Sequence, residues 1–269
     1  MKTIELAKNI RISILDMANK GKSSHIASAF SITDILSVLY GKFLKYDTSN
    51  PKLNTRDRFI LSKGHAGSAI YATLAELGFF SKDILKTHYQ NGSNLSGHVS
   101  HKNMPGVELS TGSLGHGLGV GCGFAVGLMK KKISSKVFVM ISDGECDEGS
   151  NWEAILFAAH FDLNNLIVLV DYNKLQSLDS VKNTINLEPF TNKWKSFNWN
   201  VIESDGHCHD EISESFSKAL SFNKAPTVII FNTIKGKGVS FMENSVLWHY
   251  RSPQDAEYLD ALNELKKGH

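Results

Sequence analysis

Two short loops carry the residues best suited to chemistry. Ser142-Asp143-Gly144-Glu145 follows the apolar run Val-Phe-Val-Met-Ile, and Asp171-Tyr172-Asn173-Lys174-Leu175 follows Leu-Ile-Val-Leu-Val. An Asp carboxylate, an Asn amide oxygen and a backbone carbonyl make a set of hard oxygen donors. Such a set holds Mg²⁺ or Ca²⁺ when the phosphates of a ligand complete the coordination. Gly144 lets backbone approach a phosphate, and a helix starting near Gly149 or Ser150 would aim amides at the same anion. A lone Asp-Gly after a strand is ordinary turn chemistry. Here it is followed in one β-α-β span by an acidic Glu-Cys-Asp-Glu-Gly loop, the helical run WEAILFAAHFDL and a strand-end Asp-x-Asn, an order that a turn alone does not require.

The elements that position these loops follow from periodicity. Residues 4–19, 32–44, 67–77 and 82–89 read as amphipathic helices, with a short apolar strand at 58–61 among them. Beyond them, β-branched runs at 137–141, 166–170, 200–203 and 227–232 alternate with helical segments at 151–161 and 210–222. Strands that are continuously apolar rather than alternating belong to a parallel sheet buried on both faces. The predicted class is therefore α/β, a parallel sheet flanked by helices and preceded by helical N-terminal segments. Ligands of such sheets bind at the carboxyl ends of the strands, where both loops lie. No repeat or linker divides residues 1–269, so a single domain is expected.

Composition removes several classes. Lys+Arg number 29 against Asp+Glu 27, and Lys130-Lys131-Lys132 is the longest basic run, so nucleic acid is not an expected partner. The N-terminus lacks a signal peptide's apolar core and no stretch is long enough to span a membrane. Three cysteines, an odd number at irregular spacing, suit a reducing compartment, and the expectation is cytoplasmic. His207-Cys208-His209 has the residue types of a metal cluster, but adjacent residues converge poorly on one tetrahedral ion, and a strand-end loop is the better reading. The glycine-rich LGHGLGVGCGFAVG precedes a strand instead of following one, so it reads as a closely packed helix and not as a dinucleotide loop.

The two-loop constellation resembles the thiamine diphosphate-binding motif. The resemblance implies metal ligation by Asp143, Asn173 and the main-chain oxygen of Leu175, with Gly144 and Glu145 beside the diphosphate. It implies Mg²⁺ as the metal, with Ca²⁺ or Mn²⁺ able to substitute. Ser142 stands where the motif's opening glycine is usual. Over nearly the whole chain the order of segments is similar to the N-terminal half of the transketolase family: Ser23-Ser24-His25-Ile26-Ala27-Ser28 in place of a Gly-His-Pro-Gly segment, then Leu61-Ser62-Lys63-Gly64-His65-Ala66, Gly97-His98, Thr111-Gly112-Ser113-Leu114-Gly115-His116-Gly117 and Trp248-His249. Ser113 and His116 depart from the family's Pro and Gln.

That resemblance implies a transferase of two-carbon ketol units between sugar phosphates. His65 and His249 would contact cofactor and substrate, His25 and His98 the donor's oxygens, while Gly112 and Leu114 support the cofactor ring. Neutral imidazoles donate, accept and move protons near pH 7, which suits a polyol substrate. His88, His101, His160 and His269 fall outside any motif and are read as structural. The family's activating glutamate belongs to a following domain of the neighbouring subunit, and the sequence ends after a helical segment at 255–267. The implied partner is a separate C-terminal transketolase subunit carrying that glutamate, in a heterotetramer of two copies of each. Glu148 and Glu153 would face it, although Glu near a helix start is also favoured by the helix dipole. The isolated chain would be inactive. Alternatives are a deoxyxylulose phosphate synthase-like or dedicated sugar-pathway reaction on the same fold, and a non-catalytic scaffolding subunit.

Overall fold

The computed structural model describes residues 2–268; His269 lies outside them. Five parallel strands form one sheet: β1 (Arg58–Leu61), β2 (Val137–Ser142), β3 (Leu166–Tyr172), β4 (Asn200–Asp205) and β5 (Thr227–Asn232), in the order β1-β2-β3-β5-β4. The helices are α1 (Thr3–Gly21), α2 (Ile26–Ser31), α3 (Thr33–Val38), α4 (Gly67–Glu76), α5 (Gly117–Lys130), α6 (Gly149–His160), α7 (Val181–Thr184), α8 (Phe190–Ser196), α9 (His209–Ser221) and α10 (Asp255–Lys267).

Successive side chains of a strand point to opposite faces, and here each face has its own apolar layer. Phe138, Met140, Ile167, Leu169, Ile229 and Phe231 pack with α1 to α4 and α9. Val137, Val139, Ile141, Val168, Val170 and Ile230 pack with α5, α6 and α8. Burial on both sides explains the unbroken apolar strands, each such side chain contributing about 1.5–3 kcal/mol relative to exposure. α1 buries Leu6, Ile10, Ile14 and Met17 at helical spacing and ends where Lys22 turns left-handed at φ 49°.

The N-terminal helices differ in detail from the periodicity. The expected helix at 32–44 is α3 followed by a π-helical turn, Leu39–Phe43, and α2 precedes it where no element was expected. Residues 26–40 are buried throughout, so no polar face marks the helices or their break. The expected helix at 82–89 is a 3₁₀ segment, Lys82–Thr87. The glycine-rich run is α5 as expected, though packed on one side only. A side chain at Gly121 would meet Val139 at 2.5 Å, while Gly119 and Gly123 have nothing within 4 Å. Among the described residues no helix is long and apolar enough to cross a membrane.

Candidate active site

The register of β2 on β3 pairs Ser142 with Asp171, so the two strands end level and their loops meet. The Asp143 amide donates to Asp171 O at 3.2 Å. The Asp143 carboxylate is 1% exposed and accepts from the Gly144 amide at 2.7 Å and the Lys174 amide at 2.5 Å. Burial, and then the charge of Asp171, push its carboxyl up to about 7. An ionised carboxylate here has too little positive charge around it, and a bound cation is one group that would correct this.

Asn173 is the second donor, and its orientation is built in. Its amide nitrogen donates to Asp171 Oδ2 at 3.0 Å, which leaves Oδ1 as the oxygen facing the Leu175 amide, also at 3.0 Å. Asp171 is fully buried and takes donors on both oxygens: Ser31 and Thr233 hydroxyls on one, Lys63 and Asn173 on the other. Burial opposes its charge, but the Lys63 ammonium outweighs it and the carboxyl is held low. Among the described residues no three His, Cys, Asp or Glu side chains converge as a cation site. A metal here would therefore rest on Asp143, the Asn173 amide oxygen, the Leu175 carbonyl and oxygens of a ligand, the hard-donor set that suits Mg²⁺. The residues present fit it.

Four of the expected histidines come together in the same cleft. His25 lies 5.2 Å from His65, 5.7 Å from His98 and 4.9 Å from His249 between ring centroids. His25 is the residue before α2 and adopts φ 72°, a left-handed conformation costly for a non-glycine residue and sustained here by its amide donating to His249 O at 2.8 Å. His65 sits in a 3₁₀ turn after β1 and bonds the Ser28 hydroxyl at 2.8 Å. Gly64 beside it has no room for a side chain, because a Cβ would stand 2.3 Å from Thr111 O. Burial, followed by nearby positive groups, lowers His25 to about 4, His249 to about 3 and His65 well below the usual value, so all three are neutral imidazoles at pH 7. His249 Nδ1 is buried without a hydrogen-bond partner among the described residues.

The cleft is walled by these histidines together with Gly112, Leu114, Asp143, Gly144, Asn173 and Leu175. It also contains residues that the motif reading passed over: Ser28, Lys63 and Lys235. Lys235 is 2% exposed, and its hydrogen-bond partners are the carbonyls of Leu175 at 3.0 Å and Gln176 at 2.8 Å. Burial, then repulsion from Lys63, lowers it to about 8. A buried ammonium held by carbonyls, beside a buried carboxylate, is a site shaped for an anion and a cation together. The pairing of Lys235 with residues 175 and 176 crosses from β5 to β3, and sequence spacing gives no sign of it.

Glu145 lies elsewhere. It is fully buried and does not wall the cleft; its carboxylate accepts from the Ser62 hydroxyl, the Gly115 amide at 2.9 Å and the Ser142 amide at 3.3 Å. The expected contact with a diphosphate is thus corrected to an internal one. The 3₁₀ turn Gly144–Asp147 explains it: at three residues per turn, Glu145 is rotated well away from Asp143. Glu148 and Glu153, at the start of α6, are exposed, as are Leu156, Phe157 and Phe161 further along. His207 and His209 bind the buried Asp34, which is paired with Arg11, and the strand-end loop reading holds. His88 is buried, whereas His101 and His160 are exposed.

Residues 3–264 match the family model described as transketolase, thiamine diphosphate binding domain. One subunit of the apulose-4-phosphate transketolase of Phocaeicola vulgatus is 36% identical over 99% of this chain and 95% of its own length. The 6-deoxy-6-sulfo-D-fructose transketolase subunit SqwG of a Clostridium species is 38% identical over 97% and 95%. The transketolase from Leishmania mexicana superposes with a TM-score of 0.92 at 26% identity over 99% of this chain, which spans 41% of the length of that one.

Proposed function

The chain belongs to the transketolase family as its thiamine diphosphate-binding domain, and on that premise we propose that it is the cofactor-holding subunit of a two-subunit transketolase. The reaction is transfer of a two-carbon ketol unit from a ketose phosphate to an aldose acceptor, with Mg²⁺ as the metal. The observation that carries this reading is the convergence, in one cleft, of an oxygen-donor loop pair, a buried Lys235 and four histidines.

Thiamine diphosphate, when bound, supplies the carbon nucleophile and electron sink for making and breaking carbon-carbon bonds. The chain's own residues bind and orient. Asp143, Asn173 Oδ1 and the Leu175 carbonyl would hold the metal, since each of these oxygens can accept more than the hydrogen bond it now makes. Lys235 and the backbone at Gly144 would meet the diphosphate, and Gly112 and Leu114 the ring. The neutral His25, His65 and His249 can donate to or accept from sugar hydroxyls and move a proton at a ring nitrogen. His98, exposed at the rim, is placed to contact the donor.

Two relatives named as transketolase subunits match this chain over 95% of their own lengths, which supports a separate partner subunit carrying the activating glutamate. We assign its docking to the exposed face of α6, with Glu148 and Glu153 toward its start and Leu156, Phe157 and Phe161 further along, and the assembly to two copies of each subunit. Cys122, Cys146 and Cys208, all free, suit a cytoplasmic enzyme.

The test is ketol transfer from a ketose phosphate to an aldose phosphate, with thiamine diphosphate and Mg²⁺, by this chain alone and with its partner subunit. Activity only with both supports the reading. Activity by this chain alone refutes the two-subunit part, and failure to bind the cofactor refutes the whole.

A further inference from the structure

We propose that Glu145 is a positioning residue that ties the metal loop to the loop supporting the cofactor ring, so that the two ends of the cofactor are gripped in register. The inference rests on the cofactor reading above and goes beyond it, because Glu145 neither walls the cleft nor sits among the metal donors.

A carboxylate only accepts hydrogen bonds, and each of the three donors that Glu145 meets comes from a different segment at the carboxyl edge of the sheet. Oε2 takes the amide of Ser142, the residue before the donor Asp143. Oε1 takes the Gly115 amide, next to Leu114, and the hydroxyl of Ser62, which follows β1 and precedes His65. Ser62 Oγ in turn accepts the Gly117 amide at 3.1 Å, at the first residue of α5. The Glu145 amide donates back to Ser142 Oγ at 3.2 Å, so Ser142 and Glu145 bond reciprocally, in the pattern of a capping box, around Asp143, the N-cap of the 3₁₀ turn. Glu145 is 0% exposed, and Asn151 Nδ2 holds its carbonyl at 2.7 Å, so the side chain has no alternative partner in water.

Asp143 does not need this tie to hold its shape. Its carboxylate is fixed by the Gly144 and Lys174 amides, both from the two donor loops themselves. What Glu145 adds is the relation between that loop and residues 112–117. A ligand that touches the metal loop alone is indifferent to it, and a ligand that spans both loops is not.

Glu145→Gln separates the two. An amide presents one acceptor where the carboxylate presents two, and with its oxygen kept toward Ser62 and Gly115 its NH₂ group faces the Ser142 amide, donor against donor. The experiment measures, by calorimetry on this chain assembled with its partner subunit and with Mg²⁺, the affinity for thiamine diphosphate and for inorganic diphosphate. The expected result is a loss of about tenfold or more for thiamine diphosphate, with inorganic diphosphate weakened by no more than about twofold. Ser62→Ala, which cuts the same tie from its other end, should reproduce the pattern, and Ser62→Thr, which keeps the hydroxyl, should restore wild-type affinity.

A purely structural role would lower the melting temperature of the ligand-free chain and leave both affinities unchanged well below it; that outcome overturns the proposal. Equal losses for both ligands overturn it too, since Glu145 would then act on the metal loop alone. If Glu145→Gln does not fold, Ser62→Ala decides by the same criteria. A wild-type assembly that binds inorganic diphosphate but not thiamine diphosphate would remove the cofactor reading and this inference with it, whereas wild-type binding that the variants match removes this inference alone.

Discussion

Replacing Lys63 by Met separates what the buried ion pair does for stability from what it does for the metal site. Lys63 and Asp171 have side chains 1% and 0% exposed, so removing the ammonium strands a buried carboxylate. Breaking a buried pair from one side costs about 3–5 kcal/mol. Three neutral donors, from Ser31, Asn173 and Thr233, remain on Asp171 and place the expected loss at the lower end, about 3 kcal/mol. At roughly 2–4 °C per kcal/mol for a chain of this size, the melting temperature should fall by about 6–12 °C. Adding Asp171→Asn removes the stranded charge, and the double variant should regain most of the lost stability in urea unfolding. It should not regain Mg²⁺-dependent cofactor binding. The new amide points a donor at Asn173 Nδ2, which then loses the acceptor that keeps its oxygen turned to the site. A single variant within about 1 kcal/mol of wild type, or a double variant no more stable than the single, would refute this account of Asp171.

Further outcomes follow from the same geometry. Asp143→Ala should abolish Mg²⁺-dependent retention of thiamine diphosphate while circular dichroism stays unchanged; retention at wild-type strength would remove Asp143 from the metal site. His249→Ala should keep the cofactor bound but reduce ketol transfer by the assembled enzyme by about 10²-fold, the lower end of what a positioned acid-base group contributes, and unaltered kinetics would exclude it. Among the groups that govern acid stability, alongside the cleft histidines, is His88, buried against Ser23 and lowered to about 4 by burial. The unfolded imidazole takes up a proton as pH falls below about 6.5, whereas the folded one does not until about 4, so stability is present above 6.5 and drains away between these values. From His88 alone the loss between pH 7 and pH 5 is about 2 kcal/mol. Urea midpoints of wild type and His88→Gln across this range should converge toward acid, and parallel curves would show that His88 does not carry the effect.

How much of this could be read from residues alone depends on what each residue type announces. The strands at 137–142 and 166–172 were legible because a sheet buried on both faces leaves an unbroken apolar run, and their loops were legible because Asp, Gly and Asn at strand ends are a small set of options. The histidines were legible through their motifs, and the structure brings His25, His65, His98 and His249 into one cleft. Lys63 and Lys235 were not. A lysine in a sequence defaults to a solvated surface group, and nothing in Leu-Ser-Lys-Gly-His-Ala or Ile-Lys-Gly-Lys-Gly says which lysine is buried. Only the register of β3 between β2 and β5 decides that, by closing the ends of three strands over one volume.

Glu145 shows the same gap from the opposite direction. Two positions after a metal donor, in an acidic loop, it has the sequence credentials of a ligand contact. The 3₁₀ turn that begins at Gly144 rotates it inward, and the donors awaiting it come from residues 62, 115 and 142, two of them distant in sequence. Motif spacing records which residue types a site needs. It does not record whether an oxygen is spent on the ligand or on the protein, because that is settled by the handedness and tightness of a single turn. Glu145 spends its oxygens on donors from three segments and does not wall the cleft, whereas Asp143 does; this difference, not proximity in sequence, separates a positioning residue from a binding one.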